Sequence, residues 1–184
     1  VAGVLVRAGR ADEAQRVAER IDDPWDRARA LARVAGLLAL ARQTDEARDI
    51  AGSLDVCSDC RATALQSALT AMCEQGDIDS ALTAAQHELA TAVGARGVDR
   101  KELASYCGSL ADLCQSCAEA VEGNSEALRA WQSLGRACLV HSWLLGASVW
   151  EHFETFMHLA PDPALRLVRE RLLTDADSDG ITTA

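Results

Sequence analysis

The sequence predicts an all-α protein built as an α-solenoid, a stack of helix–turn–helix units. A short motif recurs at a near-constant offset, and the residues between its copies have helical hydrophobic spacing. The composition is that of Ala/Leu/Val-rich helices, with 49% hydrophobic but only 4% aromatic residues. No segment has the pattern of a strand, and no Pro/Ser-rich linker divides the chain. We therefore expect a single helical domain over residues 1–174.

The recurring motif is a short stretch that ends in a small residue. AGRADEA at 8–14 returns as ARQTDEA at 41–47, and again as QGDIDSA at 75–81. The flanking residues follow the same register, so that Arg27 aligns with Arg61 after one inserted residue. A repeat period of about 34 residues with helical patterning is typical of helix–turn–helix solenoids.

Each position of the motif has an expected structural role. Glycine, or a tolerant polar residue, lets the first helix end in a tight turn, as at Gly9. The following acidic residue is expected to cap the second helix through a side-chain oxygen, at Asp12, Asp45 and Asp79. Two residues further on, alanine permits two helices to cross closely, at Ala14, Ala47 and Ala81. Pro24 closes the unit, because proline cannot continue a helix interior.

This pattern resembles the tetratricopeptide repeat (TPR), which also has a glycine turn, an early alanine in the second helix and a proline in the closing loop. Gly9, Ala14 and Pro24 match in kind over the first half of the chain. The second helix is shorter than in that family, and residues such as Ala18 and Ala51 occupy its large aromatic positions. The resemblance implies a right-handed superhelix of antiparallel helix pairs. It also implies a concave surface lined by the first helix of each pair.

Capping and stop signals place the helices along the chain. Regular repeats are predicted over about 1–93, irregular capping helices over about 99–174, and an acidic flexible tail over 175–184. Asp99 and Glu102 form a capping-box pattern. Ser142, just before Trp143, can cap another helix, and Asp162 precedes a proline at a first helical position. The predicted helices are 3–8, 12–21, 26–41, 45–54, 61–75, 79–93, 99–122, 125–140, 142–159 and 164–173.

Charge and hydropathy exclude several classes of partner. The net charge of −10 disfavours nucleic acid, because neutralising phosphates needs a basic surface. No apolar run reaches the length of a membrane span, and the sequence shows no recognisable signal-peptide pattern. An odd number of cysteines, seven, favours a reducing compartment, and we expect a cytoplasmic protein. Because the chain begins at Val1 within an expected helix, we also expect it to be a fragment of a longer protein.

The cysteines include two CxxC pairs, Cys57 with Cys60 and Cys114 with Cys117. A compact zinc ribbon does not fit, because the pairs are far apart in the sequence and the second lies within a predicted helix. Cys107 shares a helical face with the second pair, and Cys73 aligns with an alanine of the preceding repeat. These positions favour buried free thiols, with a disulfide, redox or metal role as the alternatives. We expect no cofactor and no metal.

Three further segments carry possible ligand chemistry. Glu154 and His158 have the i, i+4 spacing of residues that meet on a helix, but a third metal ligand is missing. The segment GARGVDRK at 94–101 could bind an anion at a helix start, although it lacks P-loop spacing and is expected to be an inter-repeat loop. The segment DADSDG at 175–180 matches the start of a calcium loop but lacks its closing glutamate, so an acidic tail is favoured.

No catalytic arrangement is recognisable, and the predicted function is a non-enzymatic protein-interaction scaffold. The partner would be another protein or peptide, or a neighbouring domain of the same chain. The alternative is a sensor or regulatory domain of a larger NTPase-type signalling or defence protein of bacteria, whose C-terminal repeats this Arg/Ala-rich pattern also resembles. The candidate binding residues are a C-terminal aromatic cluster: Trp131, Trp143, Trp150, Phe153 and Phe156.

Trp143, Trp150, Phe153 and Met157 are expected to form one stripe along the helix predicted at 142–159. Such a stripe either closes the core at the end of the stack or leaves part of the cluster exposed as a docking patch.

Overall fold

The computed structural model describes residues 2–55, 59–121 and 123–179, and these ranges contain α-helices and no strand. The all-α prediction is therefore confirmed for this part of the chain. The helices are α1 Ala2–Arg7, α2 Ala11–Glu19, α3 Pro24–Leu40, α4 Thr44–Ser53, α5 Asp59–Glu74, α6 Ile78–Gly94, α7 Arg100–Ala120, α8 Ser125–Leu145, α9 Phe153–Leu159 and α10 Pro161–Asp179. A 3-10 turn, Val149–His152, precedes α9.

The helices pack in two sets. The odd-numbered helices α1, α3, α5 and α7 contact one another in succession. Each of α2, α4 and α6 packs against the odd-numbered helices that precede and follow it, and α8 packs on α6 and α7. At the C-terminal end α9 lies against α7 and α8, and α10 lies against α9. Leucine, valine and alanine make up most of the core between the two sets, together with five cysteines and the buried rings of Tyr106 and Trp131.

The three motif copies make the same turn. Gly9, Arg42 and Gly76 have φ values of 74°, 63° and 87°, the left-handed region in which a helix commonly ends. In each copy the next residue donates its N–H five residues back, as Arg10 does to Leu5 O at 2.9 Å and Gln43 to Leu38 O at 2.9 Å. The predicted tight turn is therefore confirmed, and Arg42 adopts it without glycine.

The predicted caps of the second helices are wrong. The N-cap residues are Arg10, Gln43 and Asp77, and none of them makes a side-chain capping bond in the described structure. Each helix starts directly after the left-handed turn, so the motif aspartates fall in the first turn of the helix: Asp12, Asp45 and Asp79. There their charge favours the positive end of the helix dipole.

The motif alanines are fully buried in the core, and Ala14, Ala47 and Ala81 are each 0% exposed. We expect Ala81→Leu to lower the free energy of unfolding by about 1–3 kcal/mol, because added methylenes overpack the core. Urea denaturation followed by circular dichroism measures the change. Ala90→Leu on the exposed face of the same helix α6 is the matched control and should leave the midpoint nearly unchanged. Equal midpoints for both variants would contradict the register of the repeat.

Two aligned arginines bind the end of the preceding even-numbered helix. Arg27 Nη1 donates to Ile21 O at 2.9 Å, and Arg61 Nη1 donates to Leu54 O at 2.8 Å.

Arg61 also makes a buried bidentate ion pair with Glu88 of α6, with Nε–Oε1 and Nη2–Oε2 both at 2.7 Å. The hydroxyl of Tyr106 donates to Glu88 Oε1 at 2.6 Å, which brings α7 into the same network. Hydrogen bonding to Glu88 raises the pKa of Arg61.

The C-terminal helices differ from the prediction. The helix expected at 142–159 does not exist, because α8 continues through Ser142 to Leu145 and is capped by Gly146, whose φ of 108° favours glycine. Ser142 is buried within α8, where its hydroxyl donates to Ala104 O at 2.8 Å, and Ser148 caps the 3-10 turn instead. Trp143 is consequently on a different helix from Phe153 and Met157, so no single helix carries the expected stripe.

The last helix begins earlier and runs further than expected. Asp162 lies in the first turn of α10 and not at its cap, because the helix starts at Pro161. The backbone at 175–179 is helical and therefore does not form the start of a calcium loop, whereas residues 180–184 lie outside the described ranges. Asp99 does cap α7 as predicted, accepting from Lys101 N at 2.8 Å and Glu102 N at 3.3 Å.

Candidate functional site

A groove of about 1010 Å³ lies over the contact between α3 and α5. One wall is a stripe on α3 at four-residue spacing: Trp25, Arg29 and Arg33. The opposite face of α3 is buried in the core, which fixes the direction in which this stripe points. Asp23 caps α3 by accepting from Asp26 N at 2.8 Å, so the helix that carries the stripe begins at a defined residue.

The second wall is the polar face of α5. Thr63 and Ser67 bond backbone carbonyls one turn back within α5, at 2.9 Å and 3.1 Å. Gln66 Nε2 donates to Ser116 Oγ of α7 at 2.8 Å and closes the wall toward α7. Gly36 of α3 faces Ser67, and a Cβ built there would lie 3.5 Å from its Oγ, so α3 and α5 approach closely along the floor.

Three arginines give the groove a local positive charge on an acidic chain. Arg29, Arg33 and Arg42 line it and are exposed, and none makes an ion pair or side-chain hydrogen bond with another described residue. The carboxylates of Asp59 and Glu74 also line the groove, on the α5 side. The exposed guanidinium groups are therefore free to bind an anionic partner.

Exposed apolar side chains lie beside these charges. Trp25 is 56% exposed, and Leu40 is 82% exposed at the end of α3. A bound chain that covers such side chains gains hydrophobic stabilisation, and tryptophan is prominent among residues that dominate interface energetics. The groove therefore combines a cationic stripe with apolar anchors.

A smaller pocket of about 360 Å³ adjoins the groove and shares Gln66 and Ser116 with it. Asp112 of α7 lines this pocket, with Oδ2 at 3.4 Å from His152 Nδ1, and Thr155 donates its hydroxyl proton to Asp112 Oδ1. Contact with Asp112 raises the pKa of His152 despite partial desolvation, and the charge of Glu151 adds to the rise. The predicted Glu154–His158 pair is different, because His158 Nδ1 contacts the backbone oxygen of Glu154 at 2.9 Å.

Five of the cysteines that the structure describes lie in the core, whereas Cys60 is partly exposed and lines the groove. Cys114 and Cys117 are buried in the middle of α7, and Cys73, Cys107 and Cys138 are buried around them. The thiol of Cys117 lowers the pKa of Cys73, whereas hydrogen bonding to Cys73 and burial raise that of Cys117. The described residues contain no group of three side chains able to hold a metal ion. Cys57, the first member of the other predicted pair, lies outside the described ranges.

The structure brings four of the five predicted aromatic residues together. Trp143 packs edge-on against Phe156 with ring centroids 5.0 Å apart, and Phe153 lies 6.2 Å from Phe156 and 5.0 Å from Trp150. Trp150 is 51% exposed. Trp131 is 0% exposed, so it is a core residue and cannot form part of a docking patch.

The segment at 94–101 has a limited capacity for anions. The Asp99 carboxylate accepts from the amides of Lys101 and Glu102, which an anion at this helix start would otherwise use. The structure thus agrees with the expected inter-repeat loop, in which Gly97 has a φ of 82°.

No family model, curated protein or solved structure matches this chain. Within the described ranges, no helix has both the length and the apolar character needed to cross a bilayer. Interpretation of the groove therefore rests on its own residues.

The sequence interpretation missed the residues that define the groove. The signal was present, because Trp25, Arg29 and Arg33 follow one another at intervals of four residues, and the two arginines fall on the helix predicted at 26–41. Nothing in the sequence, however, shows that the polar face of α5 lies beside them.

Proposed function

We propose that this chain is a non-enzymatic interaction module whose α3–α5 groove binds an acidic peptide segment of another protein. The observation that carries the proposal is the row of exposed arginines, Arg29 and Arg33, beside the exposed indole of Trp25. Acidic side chains of the peptide would meet the arginines, and one apolar side chain would cover Trp25 or Leu40.

The charges and the apolar residues have different tasks in this proposal. An exposed ion pair contributes only about 0–1 kcal/mol, so two or three such pairs do not supply a stable complex. Arginines at the rim instead select an acidic partner and speed its association. Burial of Trp25 provides the larger share of affinity, at roughly 25 cal/mol for each Å² of apolar surface covered.

We further propose that the helices form a right-handed α-solenoid of antiparallel pairs, similar to the TPR superhelix. The near-constant offset of the motif, the three equivalent turns and the row of odd-numbered helices support this architecture. The groove would then lie on the concave face. In the alternative function, as the sensor domain of a larger NTPase-type protein, the same groove would receive a neighbouring domain of that protein.

Selection from a library of random twelve-residue peptides displayed on phage tests the groove. We expect the selected peptides to combine acidic residues with at least one aromatic or aliphatic residue. Arg29→Glu/Arg33→Glu should weaken a selected peptide at least about tenfold, which corresponds to about 1.4 kcal/mol. Trp25→Ala should weaken it comparably. Fluorescence anisotropy with the synthetic peptide measures each affinity.

The matched control is Arg166→Glu/Arg169→Glu on α10. It makes the same change in net charge on exposed arginines outside the groove. The control should alter affinity less than about twofold at an ionic strength where long-range charge effects are screened. If both double variants weaken the peptide equally, or if no acidic peptides are selected, the proposed groove function is wrong.

A further inference from the structure

The 3-10 turn Val149–His152 and α9 form a short strap, residues 149–159, that lies across α7 and α8. Its C-terminal end is fixed by contacts that do not titrate near neutrality. Leu159 Cδ1 would lie 2.6 Å from a Cβ at Gly135, so it fills the space that this glycine leaves on α8. Arg136 Nη1 donates to Leu159 O at 2.9 Å.

A titratable side chain, His152, attaches the N-terminal end of the strap to α7. The ring of His152 fits where Gly108 lacks a side chain, because a Cβ built at Gly108 would overlap Nε2. The other ring nitrogen, Nδ1, faces Asp112 Oδ2 at 3.4 Å. That separation exceeds the usual length of an N–H···O hydrogen bond, so attraction here depends mainly on charge.

Two carboxylates act on His152, Asp112 from α7 and Glu151 from the turn, and Glu154 of α9 lines the same pocket. They favour the imidazolium form, whose positive charge is partly enclosed with them. A neutral imidazole at 3.4 Å loses most of that attraction, while the Thr155 hydroxyl still donates to Asp112. Loss of the proton therefore loosens the turn but leaves α9 attached.

We propose that the strap is a proton-controlled latch, in which protonated His152 holds the turn Val149–His152 against Asp112 and its deprotonation lets that turn open about Thr155. The turn forms part of the small pocket that shares Gln66 and Ser116 with the groove. Opening it would lengthen the groove toward α9. This last consequence rests on the proposed function of the groove, whereas the latch itself does not.

The direction of the pH dependence follows from the raised pKa of His152. The ion pair contributes fully below the ordinary histidine pKa of about 6.5, and its contribution is lost as pH rises through the higher folded-state value. The turn is thus closed in mildly acidic solution and opens toward alkaline pH.

Amide hydrogen exchange by NMR, expressed as protection factors at pH 5.5, 7.0 and 8.5, tests the latch. Between the lowest and highest pH we expect protection in the turn, at Glu151 and His152, to fall by at least about threefold, with no change at Leu159. His152→Gln and Asp112→Asn should each abolish this dependence. His158→Gln, on the exposed side of the same strap, is the matched control and should retain it.

Gly108→Ala provides a second route to the open state. Alanine favours helix in α7, so the protein should fold, but its methyl group displaces the His152 ring. Low protection of the turn at every pH is the expected result. Protection that is constant with pH in the wild type, or that still varies with pH in His152→Gln, would overturn the latch. Affinity of a groove-selected peptide at the same pH values is a separate measurement that concerns only the lengthened groove.

Discussion

Replacing Glu88 with leucine is expected to lower the free energy of unfolding by about 3–5 kcal/mol, because it leaves the Arg61 guanidinium buried without its counter-charge. Both side chains of this pair are almost fully enclosed, and Glu88 also accepts a bond from Tyr106. Leucine has a volume similar to that of glutamate, so the loss reports charge and hydrogen bonding more than a cavity. Urea denaturation monitored by circular dichroism measures it.

The double variant Arg61→Met/Glu88→Leu measures how much of this loss comes from leaving one buried charge without its partner. Replacing both charges by apolar groups of similar size is often nearly neutral, so this variant should recover most of the lost stability. Part of the loss should remain, since the Gly52 and Leu54 carbonyls lose the Arg61 donor. A single variant Glu88→Leu within about 1 kcal/mol of wild type would show that Arg61 is hydrated and the network open.

Trp131→Ala is expected to lower the free energy of unfolding by about 3–5 kcal/mol, because it leaves a large cavity in the core. Trp131 is the largest fully buried side chain among the described residues. Its indole N–H lies near the thiol of Cys73, which is only a weak acceptor, so Trp131→Phe loses little hydrogen bonding and should cost much less than alanine. Thermal and urea unfolding of both variants give the comparison.

Trp150→Ala is the matched control for Trp131→Ala, since it deletes the same side chain from a site that is 51% exposed. Trp150→Ala should lower the free energy of unfolding by well under half as much as Trp131→Ala. Half of the Trp150 side chain already faces solvent, so its removal uncovers only the part that packs against Phe153. Equal decreases in the free energy of unfolding for the two variants would mean that Trp150 is as deeply buried as Trp131. That result would contradict the burial described for the aromatic cluster.

Local pattern was enough to predict the helices and their turns over the first half of the chain. The motif copies specify three equivalent turns, even where Arg42 replaces glycine, because a left-handed residue ends the helix in each. The second-helix caps were mispredicted for the same reason. Once that turn is made the next helix can start at once, which places Asp12 and Asp45 inside the helix.

Features that depend on distant residues could not be predicted in this way. The sequence suggests a helix cap at Ser142, one turn before the actual end of α8 at Gly146. Ser142 instead donates a hydrogen bond to Ala104 O on α7, and this contact between distant residues cannot be read from the sequence. The strap depends on Gly108 and Gly135, which lie on helices other than its own. The groove likewise needs α3 and α5 to be placed side by side, and single-chain periodicity contains no such information.

The two aligned arginines imply an unequal strength of coupling along the stack. Arg27 holds the boundary between α2 and α3 through a carbonyl bond to Ile21, whereas Arg61 links the end of α4 to α5, α6 and α7 through Glu88 and Tyr106. In a stack where each unit contacts mainly its neighbours, fluctuation begins at the most weakly coupled boundary. We therefore expect that the N-terminal pair α1 and α2 can fray without breaking the Arg61 network, because that network includes neither helix.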